Sequence, residues 1–163
     1  MTDMKVRTLI CAIVVCASSG YAEEQCLSDA WAALNSSNYR TAIQAADKCI
    51  ADFHLKAERD QATLAQRREP EPPTGAVSDQ DKQKIFSRGV LNDVAAAYFV
   101  KGKSAEALDA KPHPKNVDYR VMARTAYGEA KKLTYARVWD PKGWFWSPAE
   151  AAADRLAEMP KIG

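Results

Sequence analysis

The sequence predicts an all-α protein: antiparallel helical hairpins, arranged as a repeat-like array or a small helical bundle and closed by a C-terminal capping helix. Three observations carry this prediction. Along most of the chain, apolar and small residues recur at spacings of three and four, the mark of one buried helix face. Strong breakers separate these stretches: "NSSN" at 35–38, "EPEPPTG" at 69–75 and "KPHPK" at 111–115. No run of alternating, β-branched residues is long enough to propose a sheet.

The chain opens with MTDMKVRTLICAIVVCASSGYA, residues 1–22. Lys5 and Arg7 precede an apolar run from Leu9 to Ala17, followed by small residues and an acidic Glu23-Glu24. That order is a cleavable secretory signal, with cleavage expected after Ala22. The apolar run falls short of the ~20 residues a membrane span requires. Val14 and Val15 stand before Cys16 where a lipidation site would place a small residue. The expectation is therefore a periplasmic or secreted protein with no stable membrane anchor once the signal is gone.

Removing Asp3, Lys5 and Arg7 with the signal leaves 21 basic and 20 acidic side chains on residues 23–163. A chain so balanced lacks the basic stripe that binds nucleic acid through counterion release. Its length suits a single helical domain with a modest core.

The first helix is expected over 25–34, where Cys26, Ala30, Ala33 and Leu34 share a face. A second begins near Tyr39 and continues through Leu55 and Leu64 to the proline-rich loop at 69–77. A connection of about four residues makes the pair an antiparallel hairpin. The point midway between Cys26 and Cys49 falls in the turn, between Ser37 and Asn38. The two cysteines thus sit at similar height on facing helices, and in an oxidising compartment they read as a disulfide. Closing such a loop stabilises a fold by about 3 kcal/mol on the chain-entropy model.

Ser78 is expected to cap a third helix, whose apolar positions from Ile85 to Phe99 keep helical spacing until Gly102 stops it. Ser104 then starts a short helix that ends at Pro112. Asn116 is the expected cap of a helix carrying Tyr119, Met122, Ala126, Tyr127 and Leu133 on one face. Near the C-terminus, Asp140-Pro141-Lys142-Gly143 is a turn. Ser147-Pro148-Ala149-Glu150 combines a serine cap, proline at the first helical position and a capping-box glutamate, starting a last helix that runs to about Met159. The 139–159 segment is therefore an aromatic turn plus a terminal helix.

Aligning "CLSDAWAALNSSNYRTAI" (26–43) with "LNDVAAAYFVKGKSAEAL" (91–108) places Ala30 on Ala95, Ser37 on Gly102 and Ala42 on Ala107. The second segment resembles the tetratricopeptide repeat, with Leu91, Val94, Ala95, Tyr98, Gly102 and Ala107 in its recurring large, small, aromatic and turn positions. The resemblance implies a fold of stacked hairpins that holds a protein or peptide partner in its concave face. On this chain that face would draw on Asn35, Asn38, Asn92 and Tyr98.

Motifs for catalysis are missing: there is no HExxH, phosphate-binding glycine loop, GxSxG or CxxC, and only His54 and His113 are available as histidines. The sequence implies no cofactor or metal and favours a binding protein over an enzyme. The rivals are a periplasmic hydrolase of unrecognised type and a cell-envelope glycan binder. The glycan reading rests on Trp144 and Trp146, which share one side of an extended segment while Phe145 takes the other. Against it stands a structural role, in which these rings cap the last hydrophobic face of the array.

Overall fold

The computed structural model describes residues 19–112 and 118–160, with side chains from Leu27 onward. Among the described residues, six helices and one small hairpin follow in order: α1 (Ser19–Asn35), α2 (Tyr39–Gln66), α3 (Asp79–Phe86), α4 (Gly89–Asp109), α5 (Tyr119–Lys132), β1 (Val138–Asp140), β2 (Trp144–Trp146) and α6 (Pro148–Glu158). The protein is an all-α bundle with a C-terminal helix. Residues 1–18 of the expected signal, the side chain of Cys26 and the expected cap Asn116 lie outside the described residues.

α4 is the axis of the bundle. Its sequence is apolar on nearly every side from Val90 to Val100, which makes it a helix buried all round. α1 and α2 pack on one flank through small residues: Ala30, Ala33, Ala42, Ala46 and Cys49 meet Ala97 and Val100. α5 and α6 cover the other flank with Tyr119, Tyr127, Ala130, Ala152 and Met159 around Phe99. Alanine contacts let the α1–α2 pair approach α4 closely, while the aromatic side fills a wider gap.

α1 and α2 are joined by the expected tight turn, in which Ser37 takes a left-handed φ of 57°. The equivalent position of the other aligned segment behaves differently. α4 runs unbroken through Gly102 to Asp109, so the expected stop at Gly102 and the expected new helix at Ser104 are both corrected. The glycine is there for close approach: a Cβ on it would lie 2.6 Å from ring atoms of Tyr127 on α5. Ser104 is fully buried, where it cannot cap a helix start. Segment 91–108 is consequently part of one helix and not a hairpin.

The apolar stripe beginning after Ser78 is divided. Ser78 caps α3 by accepting the Asp81 amide at 3.1 Å, but α3 ends at Phe86, and α4 starts afresh at Gly89. The Asn92 carboxamide holds the junction, donating to the Ile85 carbonyl at 2.7 Å. At the start of α5 the cap is Asp118, whose carboxylate accepts the Val121 amide at 2.9 Å. α6 begins as its sequence indicates, with Ser147 accepting the Glu150 amide at 3.2 Å and Pro148 opening the helix. It is fixed to the bundle by Glu106 of α4, which accepts from Arg155 Nε at 3.2 Å and from the Tyr127 hydroxyl at 2.8 Å.

The β-hairpin is a further correction, since the sequence proposes no strand. Three-residue strands are too short to leave an alternation signature.

Candidate functional site

The aromatic segment 139–146 folds as this antiparallel hairpin, pairing Val138 with Trp146, Trp139 with Phe145 and Asp140 with Trp144. Its loop is Pro141-Lys142-Gly143. The Asp140 carbonyl accepts the Gly143 amide at 2.9 Å, and its carboxylate accepts the Lys142 amide at 2.8 Å. Gly143 closes the loop with φ of 101°, a conformation that favours glycine. On the other side of β2, Phe145 exchanges both backbone hydrogen bonds with Gly75 of the proline-rich loop, at 2.7 and 2.9 Å.

The approach to the hairpin is anchored by a buried arginine. Arg137 is 3 % exposed, and its Nη1 donates to the carbonyls of Thr134 at 2.8 Å and Ala136 at 2.7 Å. Its backbone amide donates to Asn92 Oδ1 at 2.9 Å, so one asparagine ties together the end of α3, the start of α4 and the entry to β1. Burial pulls the Arg137 guanidinium below its usual pKa.

Strand alternation sends the rings in two directions. Phe145 is fully buried, edge-on to Trp139 at 4.9 Å and Phe86 at 5.5 Å. Trp146 faces the helices, edge-on to Phe99 at 5.1 Å and Trp31 at 6.3 Å, and Phe99 packs on Tyr127 at 5.8 Å. Trp144, on the same face as Trp146, is 40 % exposed.

Between this face and the helices lies a groove of about 500 Å³. Its aromatic walls are Trp31, Tyr39, Phe99, Trp144 and Trp146; its polar groups are Asn35, Lys103 and Asp140. A second cleft of about 390 Å³ shares Trp31, Asn35, Asp140 and Trp146 with the groove and extends along β1 past Trp139 and Pro141. Such a surface can stack flat or apolar groups and orient them with one carboxylate, one ammonium and one carboxamide.

Of the residues singled out from sequence, Asn35, Trp144 and Trp146 meet at this groove. Asn38 is exposed in the α1–α2 turn, beside the groove residue Tyr39. Tyr98 lies elsewhere, partly buried beside Met122 and Glu129. Asn92 is corrected: it is 7 % exposed, and both ends of its carboxamide serve the fold. Sequence reasoning missed Trp31, Tyr39 and Lys103. Trp31 had a signal, being the one tryptophan outside the 139–146 segment.

Among the described residues no group of three or more His, Cys, Asp or Glu is placed to hold a metal ion, and no helix is long and apolar enough to cross a membrane. His54 donates from Nδ1 to the Ile50 carbonyl at 2.9 Å, one turn back in its own helix. No protein family, curated protein or solved structure matches this chain.

Proposed function

We propose that the protein is an exported, non-catalytic helical module that holds a peptide segment of a partner protein in the aromatic groove. One observation carries the reading: Trp144 keeps 40 % of its surface exposed while the rings beside it are locked into the bundle. A tryptophan left open over a preformed aromatic groove has the character of a binding hot spot, not of a core residue. The tetratricopeptide resemblance adds little to the reading, because segment 91–108, which carries it, is part of one helix; the α1–α2 pair supplies a single helical hairpin.

Export rests on the sequence of residues 1–22 and implies an oxidising compartment. A disulfide between Cys26 and Cys49 belongs to the same proposal. Supporting it, Cys49 is 1 % exposed and packs in the cluster that Ala30 and Ala33 of α1 form with α2 and α4. Intact mass of the exported protein should fall two hydrogens below that of the reduced form; two alkylatable thiols would refute the bond.

Site-specific photocrosslinking tests the binding reading. A photoreactive residue at Asn35, on the groove rim, should yield a protein adduct in the native envelope. The same residue at Leu55, exposed on α2 outside the groove lining, should not. No adduct at position 35, or equal adducts at both positions, would refute the site. The exposed Trp144 ring near Asp140 and Asn35 also suits a sugar face. Adducts at position 35 that carry envelope glycan and no polypeptide would replace the peptide with that ligand.

A further inference from the structure

The hairpin has an unpaired edge. Backbone N–H and C=O of one strand residue point to the same side, and neighbouring residues alternate. Phe145 spends both groups on Gly75, so its pair with Trp139 is the non-hydrogen-bonded kind. The N–H and C=O of Trp139 therefore point away from β2, out of the sheet, and neither bonds to the backbone of a described residue outside the hairpin. Trp139 and its neighbours Val138, Asp140 and Pro141 line one wall of the 390 Å³ cleft, and Trp31 and Asn35 near the end of α1 line another.

We propose that this edge is a strand-addition site. It takes an extended peptide with apolar side chains at alternate positions and an acidic group beyond them. The inference rests on the peptide reading above and supplies its binding mode. A peptide strand in the cleft would exchange two backbone hydrogen bonds with Trp139 and direct every second side chain toward Trp31 and Trp146. Continuing past Asp140, it enters the larger groove, which has that residue in common with the cleft.

Charge selects the acidic end. Lys103 lies over the Phe99 ring at 6.0 Å, and Lys111 lies over the Tyr39 ring at 4.7 Å. Both are exposed, and neither forms an ion pair with a described carboxylate, whereas Lys101 and Arg155 of the same region are paired with Asp47 and Glu106. Two ammonium groups held against rings beside an apolar groove complement a carboxylate on the incoming chain.

A randomised heptapeptide display library selected on the full mature protein tests this. Enriched sequences should alternate apolar residues and carry Asp or Glu toward one end. Lys103→Glu should weaken the best peptide at least tenfold. N-methylation of that peptide at alternate amides should cost at least tenfold, and its binding should slow hydrogen exchange at the Trp139 amide. Enriched peptides that tolerate methylation at every amide and leave Trp139 exchanging freely would overturn strand addition while leaving the groove reading intact. An empty selection, with tryptophan fluorescence quenched by a cell-wall disaccharide, would overturn both. Protection of the Trp139 amide in a dimer without peptide would assign the edge to a second copy and overturn the proposal.

Discussion

Adjacent residues of one short strand begin two unlike aromatic stacks. From Trp146 the rings run inward: Phe99 and Tyr127 follow, and Tyr127 rests on Gly102 in the interior of α4. From Phe145 they run outward: Trp139 and Phe86 are 38 % and 53 % exposed, and Lys82 lies 4.6 Å over the Trp139 ring. Yet Phe145 is fully buried and Trp146 only partly so. The outward stack is a plug whose own cover faces water, and the inward stack is a floor that carries a groove. A ring's burial thus says less about its role than the burial of the rings behind it.

The comparison breaks most readily at Phe145. Phe145→Ala should lower unfolding free energy by about 3–5 kcal/mol, because a full ring leaves a closed site between the hairpin and the 69–77 loop. Urea unfolding measures it; a loss under 1 kcal/mol would mean the outward stack covers nothing. Trp146→Ala should cost less, about 2–3 kcal/mol, since part of that ring is already in water. It should also abolish groove binding, which separates the floor from the plug.

The far end of the inward stack responds next. Gly102→Ala drives a methyl into the Tyr127 ring, an overpacking that costs about 1–3 kcal/mol. Alanine's better helix propensity returns about 1 kcal/mol, leaving a net loss of no more than about 2 kcal/mol. An increase in stability would mean that the Tyr127 contact does not constrain the helix. The same ring sets an alkaline limit. Burial and the nearby Glu106 raise the Tyr127 hydroxyl above the usual tyrosine range, and burial raises Tyr98 as well. A folded pKa raised above the unfolded value means stability is complete below about pH 10 and is lost as pH rises further. The slope should be up to about 1.4 kcal/mol per pH unit for each such tyrosine. Tyr127→Phe should make that decline shallower; an unchanged slope would place the titration elsewhere.

How much of this was legible in the sequence depends on how local the signal is. The α1–α2 turn, the turn at 140–143 and the start of α6 are written in neighbouring residues, and the structure has them. Gly102 reads as a stop because glycine is a poor helix former, but the Tyr127 ring that requires a glycine there comes from twenty-five residues away. Helical spacing passes unbroken across 87–88, so periodicity cannot see that α3 and α4 are separate. Asn92 resembles a surface polar residue until the ends of two other elements, Ile85 and Arg137, are brought to its carboxamide. Half of the groove was legible as well. Trp144 and Trp146 announce themselves by clustering, whereas Trp31, Tyr39 and Lys103 join them only through the tertiary fold.

The smallest change in stability should come at the residue that matters most for binding. Trp144 packs against less than its neighbours, belongs to neither stack and stands beside the turn, away from the helical core. Trp144→Ala should lower unfolding free energy by about 1 kcal/mol, less than Trp146→Ala, because 40 % of the residue is already in water. Removing an exposed hot-spot ring typically costs 2 kcal/mol or more in affinity, about thirtyfold, so crosslinking from position 35 and binding of the selected peptides should both collapse. A variant that loses far more stability and still binds would make Trp144 a structural cap like Phe145. One that loses no more than this and binds nothing would make the two faces of a three-residue strand functionally distinct, one closing the fold and the other open to a partner.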